Sequence, residues 1–249
     1  MSLLIAVAGK GGVGKTTCSA LLLRALLASG IRPLLAVDAD PNANLHLLLG
    51  LPAPKGLGSV REELLGSSGG ATSRDERLEA MVQQRVMEGK DVDLIAMGRG
   101  EGPGCYCFVN NLLRRSLSRL AGGYAAVVVD NEAGMEHLSR RNMRSIDHLV
   151  LVADPSPRGL SAACAIRDLA VELSLKVGKT WLLLNRPYFA GDVGEASSLP
   201  IPLLAAIPHD PSLPAWEAGA RSFLDLPDGS QAASEMARAV STLLAGNAR

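Results

Sequence analysis

A chain of 249 residues is long enough for one sizeable α/β domain, here 1–249, and short for two. Apolar residues make up 47% and charged residues 20%, a globular balance, and Lys plus Arg equals Asp plus Glu at 25 each. The zero net charge argues against a nucleic-acid or membrane-surface partner, no uncharged apolar run nears the roughly 18–20 residues that span a bilayer, and the first apolar run, Leu3–Ala8, has no basic leader.

Short apolar runs predict strands at Leu3–Ala8, Leu34–Asp38, Val92–Met97, Ala125–Asp130, His148–Ala153, Thr180–Asn185 and Leu203–Ile207. They are continuous rather than alternating, which suits strands buried on both faces. Between them, helical patterns cover Lys15–Ser29, Arg74–Glu88, Phe108–Leu120, Arg158–Leu173 and Gln231–Leu244. This alternation predicts an α/β fold: a mostly parallel twisted sheet of about seven strands with helices on both faces, in three layers. Gly66–Ser73 reads as a surface loop, Gly98–Gly104 as a second glycine-rich stretch, and Pro200–Pro214 as an ordered loop after the sheet.

Ligands of such sheets sit at the carboxyl ends of strands, and the motifs fall there. Gly9–Thr16 matches G-x-x-x-x-G-K-[ST] between a predicted strand and a predicted helix. Its glycines let backbone N–H groups wrap a phosphate, and the helix N-terminus adds partial positive charge. Gly11, Gly12, Val13, Gly14, Lys15, Thr16 and Thr17 are the expected ATP or ADP contacts, with Lys15 on the β- and γ-phosphates and the Thr16 hydroxyl on Mg²⁺. Asp38 and Asp40 end the second strand and Asp130 ends the fourth. Carboxylates there can hold Mg²⁺ through water or orient an attacking water, and turn or cap roles remain open for them.

Four cysteines suggest a reduced, cytoplasmic setting. Cys105 and Cys107 sit two apart in GCYCFVNN. In extended backbone both would point the same way, so two thiolates could converge on Zn²⁺ or Ni²⁺, and a two-fold dimer would supply four. The alternative is a pair of small apolar fillers. Cys18 and Cys164 lie on predicted helices and read as core. His46, His137, His148 and His209 show no ligand spacing, and His137 lies beside the second acidic motif.

GKGGVGKTT carries a second lysine, Lys10, and so resembles the deviant Walker A loop of the MinD, ParA and nitrogenase iron protein superfamily. That resemblance implies a homodimer in which Lys10 crosses to the partner's nucleotide. It also implies water positioning by Asp40, a metal-shell role for Asp38, Asp130 on Mg²⁺ through water, and Asn131–Leu138 as a second switch. For the base it implies Asn185 and Arg186 at one strand end and Pro208, His209 and Asp210 after another. GPGCYCFVNNLLR and VVVDNEAGMEHLSRR further resemble the CooC-type nickel-insertion ATPases of carbon monoxide dehydrogenase and acetyl-CoA synthase maturation. They imply a metal-bridged homodimer delivering nickel to an apo-enzyme. A ParA- or MinD-like positioning ATPase and an iron–sulfur scaffold or carrier ATPase are the competing readings. The nitrogenase-reductase type expects a cysteine just after Asp130, and Asn131–Arg141 has none.

Overall fold

The structure is a computed structural model that describes residues 2–60, 63–64, 73–99, 105–132 and 145–246, without the side chains of 74, 105 and 106. In chain order the elements are β1 (Leu3–Gly9), α1 (Lys15–Ala28), β2 (Leu34–Ala39), α2 (Leu45–Leu48), a 3₁₀ turn at Leu57–Ser59, α3 (Arg74–Gln83), β3 (Val92–Ala96) and α4 (Cys105–Leu120). There follow β4 (Ala126–Asn131), β5 (Ile146–Ala153), α5 (Pro157–Glu172), β6 (Val177–Asn185), α6 (Ala190–Ser197), β7 (Leu203–Ile207), α7 (Ser212–Ala218), a 3₁₀ turn at Phe223–Asp225 and α8 (Gln231–Ala245).

Among the described residues, seven strands form one parallel sheet in the order β3-β2-β4-β1-β5-β6-β7. Successive side chains of a strand point to opposite faces, and the apolar residues divide accordingly. Ile5, Val7, Ala126 and Val128 pack with α1 and with Met236, Val240 and Leu243 of α8. Leu4, Ala6, Ala8, Val127 and Val129 pack with Val109 and Leu112 of α4 and Leu160 and Ala163 of α5. Two cores, one on each face, explain why the strands read as continuous apolar runs. β1 lies centrally between β4 and β5, so its carboxyl end opens where the chain order reverses, the usual ligand crevice of such sheets.

The predicted strands are all present, and two helix boundaries and one predicted loop differ. α3 stops at Gln83 rather than Glu88 because Met87 turns back to exchange two backbone hydrogen bonds with Leu94. Pro200–Pro214 is not one loop: it contains β7, and α7 begins at its end. α4 begins at Cys105, three residues before Phe108, so the cysteine pair lies in the first turn of a helix and not in extended chain. α5 starts where its sequence dictates, with Ser156 capping the Gly159 N–H at 3.0 Å and Pro157 in the first turn.

Candidate active site

β1 ends in Gly9 and α1 begins at Lys15, leaving residues 10–14 as the connecting loop. Two glycines there are fixed by close approach. A Cβ on Gly9 would lie 2.3 Å from the Val152 carbonyl oxygen of β5, and one on Gly14 would lie 2.4 Å from Asn185 Nδ2. Gly14 also has φ +92°, in the left-handed region. Lys15 Nζ donates to the Lys10 carbonyl at 3.1 Å. Burial lowers the Lys15 pKa, while the nearby charges of Asp130, Asp40 and Glu132 work in the opposite direction. Lys10 itself is exposed.

Below the loop, Asp130 is 2% exposed and accepts a hydrogen bond from Ser19 Oγ at 3.1 Å and another from the Thr16 hydroxyl. Burial pushes its carboxyl up to about 7; Asp38 adds to the rise, and Thr16, Ser19 and Lys15 oppose it. Asp38 faces Asp130 in register across β2 and β4. Its Oδ2 accepts the Leu45 N–H at 2.8 Å and its Oδ1 the Asp40 N–H at 3.2 Å. Burial dominates over these bonds and raises Asp38 to about 6. Asp40 Oδ1 in turn accepts the Asn42 N–H at 2.8 Å. A hard divalent cation suits this set of buried carboxylates and hydroxyls, with Thr16 and Asp130 as the groups to hold it. When bound it would supply Lewis-acid stabilisation of phosphate charge.

At the far side of the loop, Asn185 Nδ2 donates to the Val13 carbonyl at 2.8 Å and Arg186 Nη2 to the Gly12 carbonyl at 3.3 Å. Arg186 has φ +59°, an uncommon conformation for a side-chain-bearing residue, and its N–H is tied to the Ile207 carbonyl at 2.8 Å. Both residues therefore grip the P-loop backbone. Pro208 and His209 follow β7. Asp210 spends both oxygens within the chain: Oδ1 accepts Ser212 N–H at 2.9 Å and Ser212 Oγ at 2.5 Å, and Oδ2 accepts Ser230 Oγ at 2.7 Å and Ala232 N–H at 3.2 Å. Burial raises its pKa, but these four bonds outweigh it and hold the carboxyl at about 2. Asp210 thus ties the start of α7 to the start of α8, where Ser230 is the N-cap, and fixes the loop that carries Pro208 and His209.

A model of the CobQ/CobB/MinD/ParA nucleotide binding domain matches residues 4–246. The chain belongs to that family. It is an ATP-binding ATPase of the MinD/ParA type. An uncharacterized ATP-binding protein of Methanocaldococcus jannaschii is 37% identical over 238 residues, 92% of this chain and 93% of that one. The carbon monoxide dehydrogenase accessory protein CooC of Rhodospirillum rubrum is 33% identical over 240 residues, 89% of each chain. The septum site-determining protein MinD of Pyrococcus horikoshii, solved with Mg-ADP, superposes with a TM-score of 0.73 over 99% of this chain and 98% of its own at 23% identity, a likeness of fold.

One residue at this family site escapes a motif reading, and the first residue of the expected second switch has a partner that no motif predicts. Ser19 is fully buried one turn after Lys15 and bonds Asp130; its signal is a lone hydroxyl in an otherwise apolar stretch of α1. Asn131, 1% exposed, sends Nδ2 to the Val7 carbonyl at 2.8 Å and so ties the end of β4 to β1 two residues before Gly9. Residues 133–144, with Gly134 and His137, lie outside the described residues.

The cysteine pair lies apart from these groups. Cys107 is exposed at the start of α4, and Cys105 is described only by its backbone. At 3.6 residues per turn, positions 105 and 107 are separated by about 200° around the helix, so the convergence expected of an extended C-x-C does not hold in this state. Among the described residues no group of three or more His, Cys, Asp or Glu side chains forms a metal cage. Cys18 is buried, its thiol pushed up to about 12 by burial, and Cys164 is half-buried. His148 is a core residue whose Nδ1 accepts the Trp181 indole N–H at 3.0 Å. No helix among the described residues is long and apolar enough to cross a membrane.

Proposed function

We propose that this ATPase is a metallochaperone that dimerises with nucleotide and delivers nickel to an apo-enzyme of the carbon monoxide dehydrogenase or acetyl-CoA synthase class. The observation that carries the reading is the 33% identity to CooC across 89% of both chains, combined with the C-x-C pair at the start of α4. In this reading Lys10 of each protomer reaches the partner's nucleotide, Lys15, Thr16 and Asp130 hold Mg-ATP, and Asp40 positions the attacking water. Arg186, Pro208 and His209 border the base, with Asn185 holding the loop beneath it. Cys105 and Cys107 of two protomers supply four thiolates for Ni²⁺ or Zn²⁺, the cargo. Because positions two apart diverge on a helix, metal capture unwinds the first turn of α4 into extended chain.

Metal analysis and sizing of the wild type and of Cys105→Ser, Cys107→Ser, each with ADP and with a non-hydrolysable ATP analogue, test the reading. Stoichiometric metal in wild type and none in the double variant support it; equal metal in both refutes it. A positioning ATPase is the second reading. It is favoured by 29% identity over 167 residues to the maintenance of carboxysome distribution protein A of Synechococcus elongatus. Nucleotide-dependent sedimentation with DNA or liposomes would select that reading instead.

A further inference from the structure

We propose that Arg99 is a positioning residue that couples the nucleotide switch loop to the cysteine-bearing helix through its hydrogen bond to Asn42. Arg99 Nη2 donates to Asn42 Oδ1 at 2.6 Å, and the Asn42 N–H donates to Asp40 Oδ1 at 2.8 Å. Asp40 lies at the end of β2, beside the Mg²⁺-binding groups; Arg99 lies six residues before Cys105. Asn42 therefore joins the two ends with its backbone on one side and its amide on the other.

The chain on either side of Arg99 explains why this contact transmits. Met97 N–H donates to the Asp38 carbonyl at 2.7 Å, and Gly58 N–H donates to the Met97 carbonyl at 3.0 Å. Gly56 and Gly98 lie backbone against backbone: a Cβ on Gly56 would sit 2.6 Å from Gly98 Cα, and Gly98 has φ +62°. These contacts pin the chain up to Gly98. Leu57 and Val60 share a core with Val109 and Leu112 of α4, so the base of α4 rests on the same floor as the switch. Arg99 is the first residue beyond the pin, and it is exposed. A rearrangement of residues 40–44 around a nucleotide moves the Asn42 amide, and with it Arg99, next to the pinned chain whose floor α4 shares. The coupling is reciprocal, so a ligand at the cysteines would feed back on nucleotide affinity. Its consequence for metal delivery rests on the metallochaperone reading; the coupling itself does not.

The test measures the alkylation rate of Cys107 by N-ethylmaleimide in the full chain, resolved by peptide mass, without nucleotide, with Mg-ADP and with a non-hydrolysable Mg-ATP analogue. Wild type, Arg99→Ala, Asn42→Ala and the double variant are compared, with thermal unfolding as the check on folding. Nucleotide is expected to change the wild-type rate by about fivefold or more. In either single variant the ratio falls to within about twofold, and the double variant loses nothing further because one contact carries the effect. Arg99→Ala retains nucleotide affinity. A wild-type rate indifferent to nucleotide, or a wild-type ratio preserved in the variants, overturns the proposal. Zinc titration in the same nucleotide states separates the two ideas: intact alkylation coupling with no thiolate-bound zinc refutes the metallochaperone reading and leaves Arg99 in its role.

Discussion

Asp130 costs the folded protein stability when no cation is bound, and Asp130→Asn should reveal how much. Its carboxyl stands at about 7 in the folded chain against 3.8 as the ordinary value, with burial the leading cause. A carboxyl raised by folding binds more protons in the native than in the unfolded state between those two values. Stability is therefore fully present below about pH 4 and is lost as pH rises toward 7, at about 1.4 kcal/mol per pH unit for one group. Asparagine mimics the protonated acid at every pH and keeps an acceptor for Ser19. The stability advantage of Asp130→Asn over wild type, without nucleotide and with chelator, should thus be larger at pH 8 than at pH 5 by about 2–3 kcal/mol. For a chain of this size that is about 5–10 °C in the melting temperature. Urea unfolding followed by circular dichroism at the two pH values measures it directly. Mg-ADP should reverse the order, because only the carboxylate compensates the cation. An advantage equal at both pH values would refute the assignment of a desolvated, raised Asp130.

Three further outcomes follow from the site. Lys15→Met removes the cation proposed to face the phosphates, together with its hydrogen bond to the Lys10 carbonyl and its attraction to Asp130, Asp40 and Glu132; nucleotide affinity by fluorescent-analogue titration should fall more than about tenfold, a larger effect than the change in melting temperature of the apo chain. Gly14→Ala meets Asn185 Nδ2 in a left-handed conformation, and should destabilise the apo chain by about 1–3 kcal/mol in urea unfolding and lose nucleotide binding. Asp210→Ala removes the acceptor for the Ser212 N–H at the start of α7 and for Ser230 Oγ and the Ala232 N–H at the start of α8, while Ser230 still caps Ala233, and should cost about 1–3 kcal/mol at pH 7. Because that carboxyl is depressed to about 2, its stabilisation is present above pH 4 and is lost as pH falls toward 2, so the variant and wild type should converge in acid.

The sheet was legible in the chain because burial on both faces writes each strand as an apolar run, two of them running into a motif: LLIAVAG meets the P-loop and AVVV runs into Asp130. The P-loop was legible for the same reason, a local backbone requirement for glycine. What sequence left open depends on partners far along the chain. Asn185 serves Val13, 172 residues away, and Asp210 serves Ser230 and Ala232, 20 and 22 residues on. A motif marks such residues as near the site but not what they hold. The cysteine pair shows the other limit: two positions apart means one direction in a strand and opposite directions in a helix, and the spacing CYC does not choose. The eight-residue α6 hid behind small residues, and its start is held by a buried carboxylate in its first turn, Asp192, which reaches back to accept the Tyr188 and Phe189 N–H groups.

Asp38 and Asp130 face each other across adjacent strands, yet their partners divide their labour. Asp130 is held by two hydroxyls, Ser19 and Thr16, which rotate freely and can yield to a cation. Asp38 is held by two backbone amides, Asp40 and Leu45, which move only if residues 40–45 move. A cation therefore replaces the hydroxyl bonds of Asp130 at little structural cost, and the same demand on Asp38 reorganises the loop that carries Asp40. Asp38→Asn, which keeps one acceptor and loses the charge, should shift the Mg²⁺ requirement for ADP binding by less than about threefold. It should lower ATP turnover by about tenfold or more, because under the proposed function Asp40 positions the attacking water and here loses one of its anchors. Asp130→Asn should do the reverse in emphasis, moving the Mg²⁺ requirement first. Mg²⁺ titrations of fluorescent ADP binding, run beside phosphate-release assays on the two variants, decide it. An Asp38→Asn protein whose Mg²⁺ requirement rises as far as that of Asp130→Asn would show that both carboxylates serve the cation alike and that the loop is not their dividing line.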